Sequence, residues 1–263
     1  MIDGVDPGIL VLLVATALVA GWIDAVSGGG GMLQVPMLLI TQPQLAPSVA
    51  LGTNKVASVF GTATAAATYL RKIRPHLATA VPMALTAFAT AVLGARTAVN
   101  LPAQVIEPII LIALIGVWLF LMFRPRLGID EELRFPAGSR HYVIAIAAGA
   151  VIGFYDGILG PGTGSFLIIV LVAGLGYSFL NASVTAKIVN LGTNIAAILV
   201  FGLSDSILWA VGLLMAIANV AGAFLGARTA LRRGSRFVRV VFLVVVGLLI
   251  LRLAWDLFLG GSG

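Results

Sequence analysis

The sequence predicts an all-α polytopic membrane protein. It reads as two inverted repeats of about five hydrophobic segments each, with the first two segments of each repeat forming a glycine-broken hairpin. Three observations predict this. Of 263 residues, 60% are hydrophobic and only 10% are charged, with a mean hydropathy of +1.11. A soluble domain carries about 25% charged residues, so this chain has too little polar material to cover a water-facing surface. The apolar residues also fall into long segments on the scale of the roughly 20 residues that cross a bilayer as helix. Finally, the two halves match at one constant offset of 132 positions, as from Asp24 to Asp156 and from Lys55 to Lys187.

The first half gives segments 8–26, a short 32–41, 49–70, 78–98 and 105–123. The second gives 141–159, a short 165–176, 182–203, 207–229 and 237–259. This divides the chain into a first transmembrane repeat, 1–123, a cytoplasmic linker, 124–140, and a second repeat, 141–263, within one integrated domain. The linker is the only long polar stretch and holds Asp130, Glu131 and Glu132. The N-terminus lacks Lys and Arg ahead of the first segment, so that segment is not expected to be a cleaved signal peptide.

The offset runs through polar positions as well as apolar ones. Gly21-Trp-Ile-Asp24 matches Gly153-Phe-Tyr-Asp156, Thr53 and Lys55 match Thr185 and Lys187, and Gly94-Ala-Arg-Thr-Ala98 matches Gly226-Ala-Arg-Thr-Ala230. Apolar helices resemble one another by chance, but charged residues in one unbroken register indicate an internal duplication.

Loop charges orient the halves. The basic loop of the first half, Arg71, Lys72 and Arg74, follows its third segment; that of the second half, Arg232, Arg233, Arg236 and Arg239, follows its fourth. Short basic loops lie in the cytoplasm, so equivalent loops fall on opposite sides and the repeats are inverted. A parallel four-plus-four arrangement would leave one basic loop outside. With the N-terminus outside, twelve of the sixteen Lys and Arg gather on the inner side. The net charge of +6 is then the usual cytoplasmic excess and gives no reason to expect nucleic acid.

The glycine runs are the first candidates for chemistry. Gly28, Gly29, Gly30 and Gly31 precede the ten-residue segment Met32–Thr41, and Gly160, Gly162, Thr163 and Gly164 precede the second short segment. A broken helix at membrane depth is tolerated only where it is buried in protein or lines a watery cavity. Its free N–H groups suit an anion, and paired interrupted segments in two halves point to a transporter's binding site. Close packing of helices through small residues is the alternative.

Lys55 and Lys187 lie inside their segments, where a charge is costly and by default functional. They are candidates to hold an anion, with Asp24 and Asp156 positioning the loop or exchanging protons. A structural Asp–Lys pair, or lysines reaching for the interface, is the alternative. Asn54 stands beside Lys55, while Lys187, Asn190 and Asn194 share one helical face. These amides either face substrate or hold helices together. Asn54 is matched by Ala186, so the two half-sites are not chemically identical. Arg96 and Arg228 read as interface anchors, and Glu107 as the start of the fifth segment.

No catalytic grouping is found, so the chain is not expected to be an enzyme, and no cofactor is implied. There is no cysteine, which removes disulfides and thiolate metal sites. His76 and His141 read as loop residues without metal-ligand spacing, so no metal is expected. No phosphate-binding Walker loop or His-Glu-x-x-His occurs.

Residues 21–36, Gly-Trp-Ile-Asp-Ala-Val-Ser-Gly-Gly-Gly-Gly-Met-Leu-Gln-Val-Pro, resemble the first signature of the TauE/SafE family. Leu51-Gly-Thr-Asn-Lys55 with Gly61-Thr-Ala-Thr-Ala65 resembles its second, and Gly153-Phe-Tyr-Asp-Gly-Ile-Leu-Gly-Pro-Gly-Thr-Gly164 its third. The resemblance implies a secondary transporter of the bacterial inner membrane, multi-pass, exporting sulfite or organosulfonates such as sulfoacetate by alternating access. Transport of another small anion, or uptake, is the alternative, and a non-transporting scaffold a further one. The implied partners are a small anionic substrate and the lipid bilayer. Proton coupling through Asp24 or Asp156 is compatible with the sequence, as is a homodimer formed through glycine-rich helix faces.

Overall fold

The computed structural model describes residues 4–98, 115, 119, 122–123, 128–135 and 138–258. They form α1 (Pro7–Ser27), α2 (Gly31–Thr41), α3 (Pro47–Leu70), α4 (Leu77–Thr97), α5 (Ser139–Ile158), α6 (Thr163–Ile169, continued by a π-helical turn, Val170–Leu175), α7 (Phe179–Leu203) and α8 (Trp209–Phe258). The expected segment 105–123 and Glu107 lie almost wholly outside the described residues, as do Arg124 and Arg126.

Local chemistry sets the ends. Asp6 caps α1 by accepting from the Gly8 N–H at 2.7 Å, with Pro7 at the first helical position. The helix ends at Gly28, whose φ of 81° turns the chain away while its N–H returns to the Asp24 carbonyl. Ser178 caps α7 by accepting from the Asn181 N–H.

Five stretches among the described residues are long and apolar enough to cross a membrane: α1, α4, α5, α7 and Trp209–Leu248. Helix α3 is as long but more polar, because it carries Thr53, Asn54, Lys55, Ser58 and Thr62. Most of these are buried against other helices. The basic stretch expected as a loop between 207–229 and 237–259 is instead a helical corner. The chain turns at Gly234, with φ 77° and ψ −179°, and Arg232, Arg233 and Arg236 stay helical. His141, expected in a loop, is the third residue of α5 and only 3% exposed.

Helices of one half pack on helices of the other: α1 on α8, α4 on α5, α3 on α7 and α8, and α4 on α7. Small residues let backbones meet there. A Cβ added to Gly226 would stand 2.5 Å from the Trp22 carbonyl oxygen, and one added to Gly94 2.1 Å from that of Phe154. Gly21 meets the Asn219 carbonyl as Gly153 meets that of Ala87. Each contact has its equivalent at the same offset with the halves exchanged, the relation a two-fold axis produces. These glycines are therefore occupied inside the chain.

The stretch between the halves is stitched down. Glu132 N–H donates to Gly176, Arg134 N–H to Leu175, and Phe179 N–H to Gly128, at 2.7–3.0 Å. The Glu131 carboxylate accepts from the Ser178 N–H and hydroxyl and from the Asn181 amide at the start of α7, and lies 2.9 Å from His76 Nε2. Burial raises its pKa, but these hydrogen bonds and the His76 charge outweigh it and hold the carboxyl below its ordinary 4.5. A lowered carboxyl pKa stabilises at higher pH. The contribution is complete above 4.5 and is lost as pH falls through the lowered folded value. Protease resistance of the 128–135 stretch is therefore expected to hold from neutral pH down to about 4.5 and to fall below it. Glu131→Gln should be cleaved readily at neutral pH; a stretch equally resistant in both proteins would refute the latch.

Candidate functional site

The two short helices begin at the same place, in the middle of the bundle. Helix α1 hands over to α2 through Gly28–Gly30, and α5 to α6 through Leu159–Gly162. The breaks touch: a Cβ on Gly28 would lie 2.3 Å from the Gly164 carbonyl carbon, and Ser165 Oγ donates to the Ser27 carbonyl at 2.8 Å. Only glycine combines the left-handed backbone at position 28 with this approach.

Around that contact sit both buried lysines and both aspartates, paired across the halves. Lys55 Nζ is 2.7 Å from Asp156 Oδ2, and Lys187 Nζ is 2.7 Å from Asp24 Oδ2. The pairs exchange under the 132-residue offset: each lysine meets the carboxylate of the other half. Side-chain exposure is 3% and 1% in the first pair, and 0% and 15% in the second. Asp156 is held further by Thr163, whose hydroxyl donates to Oδ1 at 2.5 Å. A Cβ on Gly160 would stand 3.0 Å from Lys55 Nζ, so this glycine lets the ammonium pass close to the backbone.

These groups enclose a cavity. Asp24, Gly28, Gly31, Asn54, Lys55, Asp156, Gly160, Gly162, Thr163, Gly164, Asn190 and Asn194 all line it, together with Ser58. Of the expected residues, three stand behind the wall. Gly29 faces Val245, Gly30 packs against Ala20 and Asp24, and Lys187 reaches the cavity only through Asp24. The cavity volume is about 20 Å³. That is room for roughly one water. The four charged groups sum to zero. In this closed arrangement the carboxylates occupy the cations that an anion would need.

Sequence reasoning missed Ser58 and Thr62. Ser58 Oγ lies 3.4 Å from Asn54 Oδ1, and Thr62 Oγ1 accepts from Asn194 Nδ2 at 3.4 Å. The offset could have found both, since it carries Asn190 onto Ser58 and Asn194 onto Thr62. Among the described residues no cluster of His, Asp and Glu could hold a metal ion.

An all-helical multi-pass membrane protein with a charge-compensated polar cavity between two broken hairpins has the build of a membrane transporter. The family described as "Sulfite exporter TauE/SafE" matches residues 13–253, and the chain belongs to that family. It is 36% identical to a Sinorhizobium "Probable membrane transporter protein ORF9" over 94% of this chain and 93% of that one. It is 31% identical to the Escherichia coli K12 "Probable membrane transporter protein YfcA", over 96% and 92%. A Haemophilus influenzae "Probable membrane transporter protein" is 30% identical over 96% of both chains. No solved structure matches.

Proposed function

We propose that this chain is a secondary transporter that exports small sulfur oxyanions, sulfite or organosulfonates such as sulfoacetate, across the bacterial inner membrane by alternating access. The observation that carries the reading is the pair of reciprocal Lys–Asp bridges around a glycine-lined polar cavity. The family description and the names of the relatives agree with it.

A sulfite or sulfonate group needs several donors and cationic compensation in a low dielectric. Lys55, Lys187, the asparagine amides, Thr163 and the N-terminal turn of α2 offer both. Because each lysine bonds a carboxylate of the other half, parting the halves exposes cations and carboxylates together. The lysines then take up anion oxygens, and a released Asp24 or Asp156 takes up a proton, which couples anion to proton movement. A cell-negative interior independently favours anion exit by about 2.3 kcal/mol per charge per 100 mV.

The halves 1–123 and 141–263 are inverted in the bilayer, with the N-terminus outside and the 124–140 linker in the cytoplasm, as the basic residues indicate. Both half-sites come from one chain, so a homodimer, if formed, adds no residue to the cavity.

The test is sulfite flux into proteoliposomes, measured above protein-free leak at both signs of membrane potential. Saturable flux cancelled by sulfonates is expected. Flux cancelled only by carboxylates would reassign the substrate, and flux indifferent to a pH gradient would remove the coupling.

A further inference from the structure

One polar side chain in the core of the first hairpin has no partner. Gln34 is fully buried, and neither its amide nitrogen nor its amide oxygen is hydrogen-bonded. Leaving both ends of a buried amide unpaired is unfavourable, and an apolar side chain of the same size would avoid it. The position therefore serves something other than the closed state.

Its place in the fold indicates what. Gln34 is the fourth residue of α2, one turn from the glycine break. It shares a face with Leu38, which packs among Leu13 and Ala17 of α1 and Ala50 and Ala57 of α3. Gln34 does not line the closed cavity; it stands one turn behind Gly31, which does, and helical side chains lean toward the helix N-terminus. Gly31 lines the cavity, and a Cβ there would lie 3.5 Å from Asn54 Nδ2. The equivalent of Gln34 in the second half is Phe166, stacked edge-on against Tyr155 with ring centres 5.2 Å apart.

We infer that Gln34 is a substrate-binding residue, which completes its hydrogen bonds on the anion once the halves part. This rests on the reading of the site as an oxyanion transporter and narrows the substrate. An amide presents a donor and an acceptor together. Nε2 donates to an anion oxygen, and Oε1 accepts from a donor on the same ligand. A fully ionised tetrahedral anion such as sulfate has only acceptors and leaves Oε1 opposed by like partial charge. The preferred ligand is an oxyanion that also bears a proton: hydrogensulfite, or a sulfonate with a hydroxyl or ammonium group.

The experiment compares wild type and Gln34→Leu in proteoliposomes, reading sulfite flux, competition by sulfate and by a hydroxysulfonate, and the melting temperature in detergent. Gln34→Leu should melt at or above wild type, because it removes an unpaired group. Its half-saturating sulfite concentration should rise about tenfold or more, equivalent to about 1.4 kcal/mol, with its maximal rate kept. Its preference for the hydroxysulfonate over sulfate should collapse. A variant with wild-type half-saturation and preference overturns the inference alone. So does a lower melting point, which would show that Gln34 has a structural partner. A wild type without saturable flux overturns the exporter reading, and the inference with it.

Discussion

Asp156→Ala is expected to destabilise the folded protein by roughly 3–5 kcal/mol, the cost of leaving a buried charge without its partner. Lys55 is 3% exposed and Asp156 1%, so water cannot replace the missing group without opening the core. The double variant Lys55→Ala/Asp156→Ala should be less destabilised than either single variant, because it buries no orphan charge. The same pattern should hold for Lys187 and Asp24, more weakly, because Asp24 keeps 15% exposure. Thermal unfolding of the four singles and two doubles in one detergent provides the check. Strictly additive losses would mean that the bridges are not coupled as drawn. Transport separates stability from function: the doubles should fold and yet carry little anion, since each has lost one of the two cations.

The second large effect lies at the contact between the breaks. Gly28→Ala places a Cβ 2.3 Å from the Gly164 carbonyl carbon and 2.5 Å from the Ser165 nitrogen, both backbone atoms that cannot rotate away. It also forces an alanine to adopt φ 81°, which alone costs about 1–2 kcal/mol. Gly234→Ala is the internal control. Its φ of 77° with ψ −179° is a backbone open essentially to glycine alone and strains an alanine at least as much, but nothing lies within 4 Å of the added carbon. Gly28→Ala should therefore melt well below Gly234→Ala and fail to transport, while Gly234→Ala should transport. Equal melting points would remove the hairpin contact as a determinant of the fold.

Much of this architecture can be read from the chain without coordinates. Hydropathy places the helices within a few residues, since α1, α3 and α4 start and stop close to segments 8–26, 49–70 and 78–98. The glycine runs mark the two breaks because glycine is the residue that tolerates such backbone and such approach. Partner choice is less legible. Periodicity shows that Lys187, Asn190 and Asn194 share a face, but it is silent about which helix lies opposite. It therefore cannot tell a lysine bonded to Asp24 from one left free for a ligand. Ser58 and Thr62 were hidden because hydroxyls on apolar helices are common and often bond their own backbone, as Thr64 and Thr68 do here. The helical corner at Gly234 was hidden because a run of arginines reads as a loop whether or not its backbone stays helical.

The crossed pairing also bears on how such a chain arises. A single half contains one aspartate, one lysine and one glycine break. Its own lysine does not neutralise its own carboxylate, because each charge is met from the far side of the molecule. A half-length ancestor would have had a complete site only as two copies, each lending its lysine to the other. The two halves of the present chain differ: Gln34 corresponds to Phe166 and Asn54 to Ala186. Asn54 lines the cavity and its counterpart Ala186 does not, so the two half-sites contribute unequally to one site.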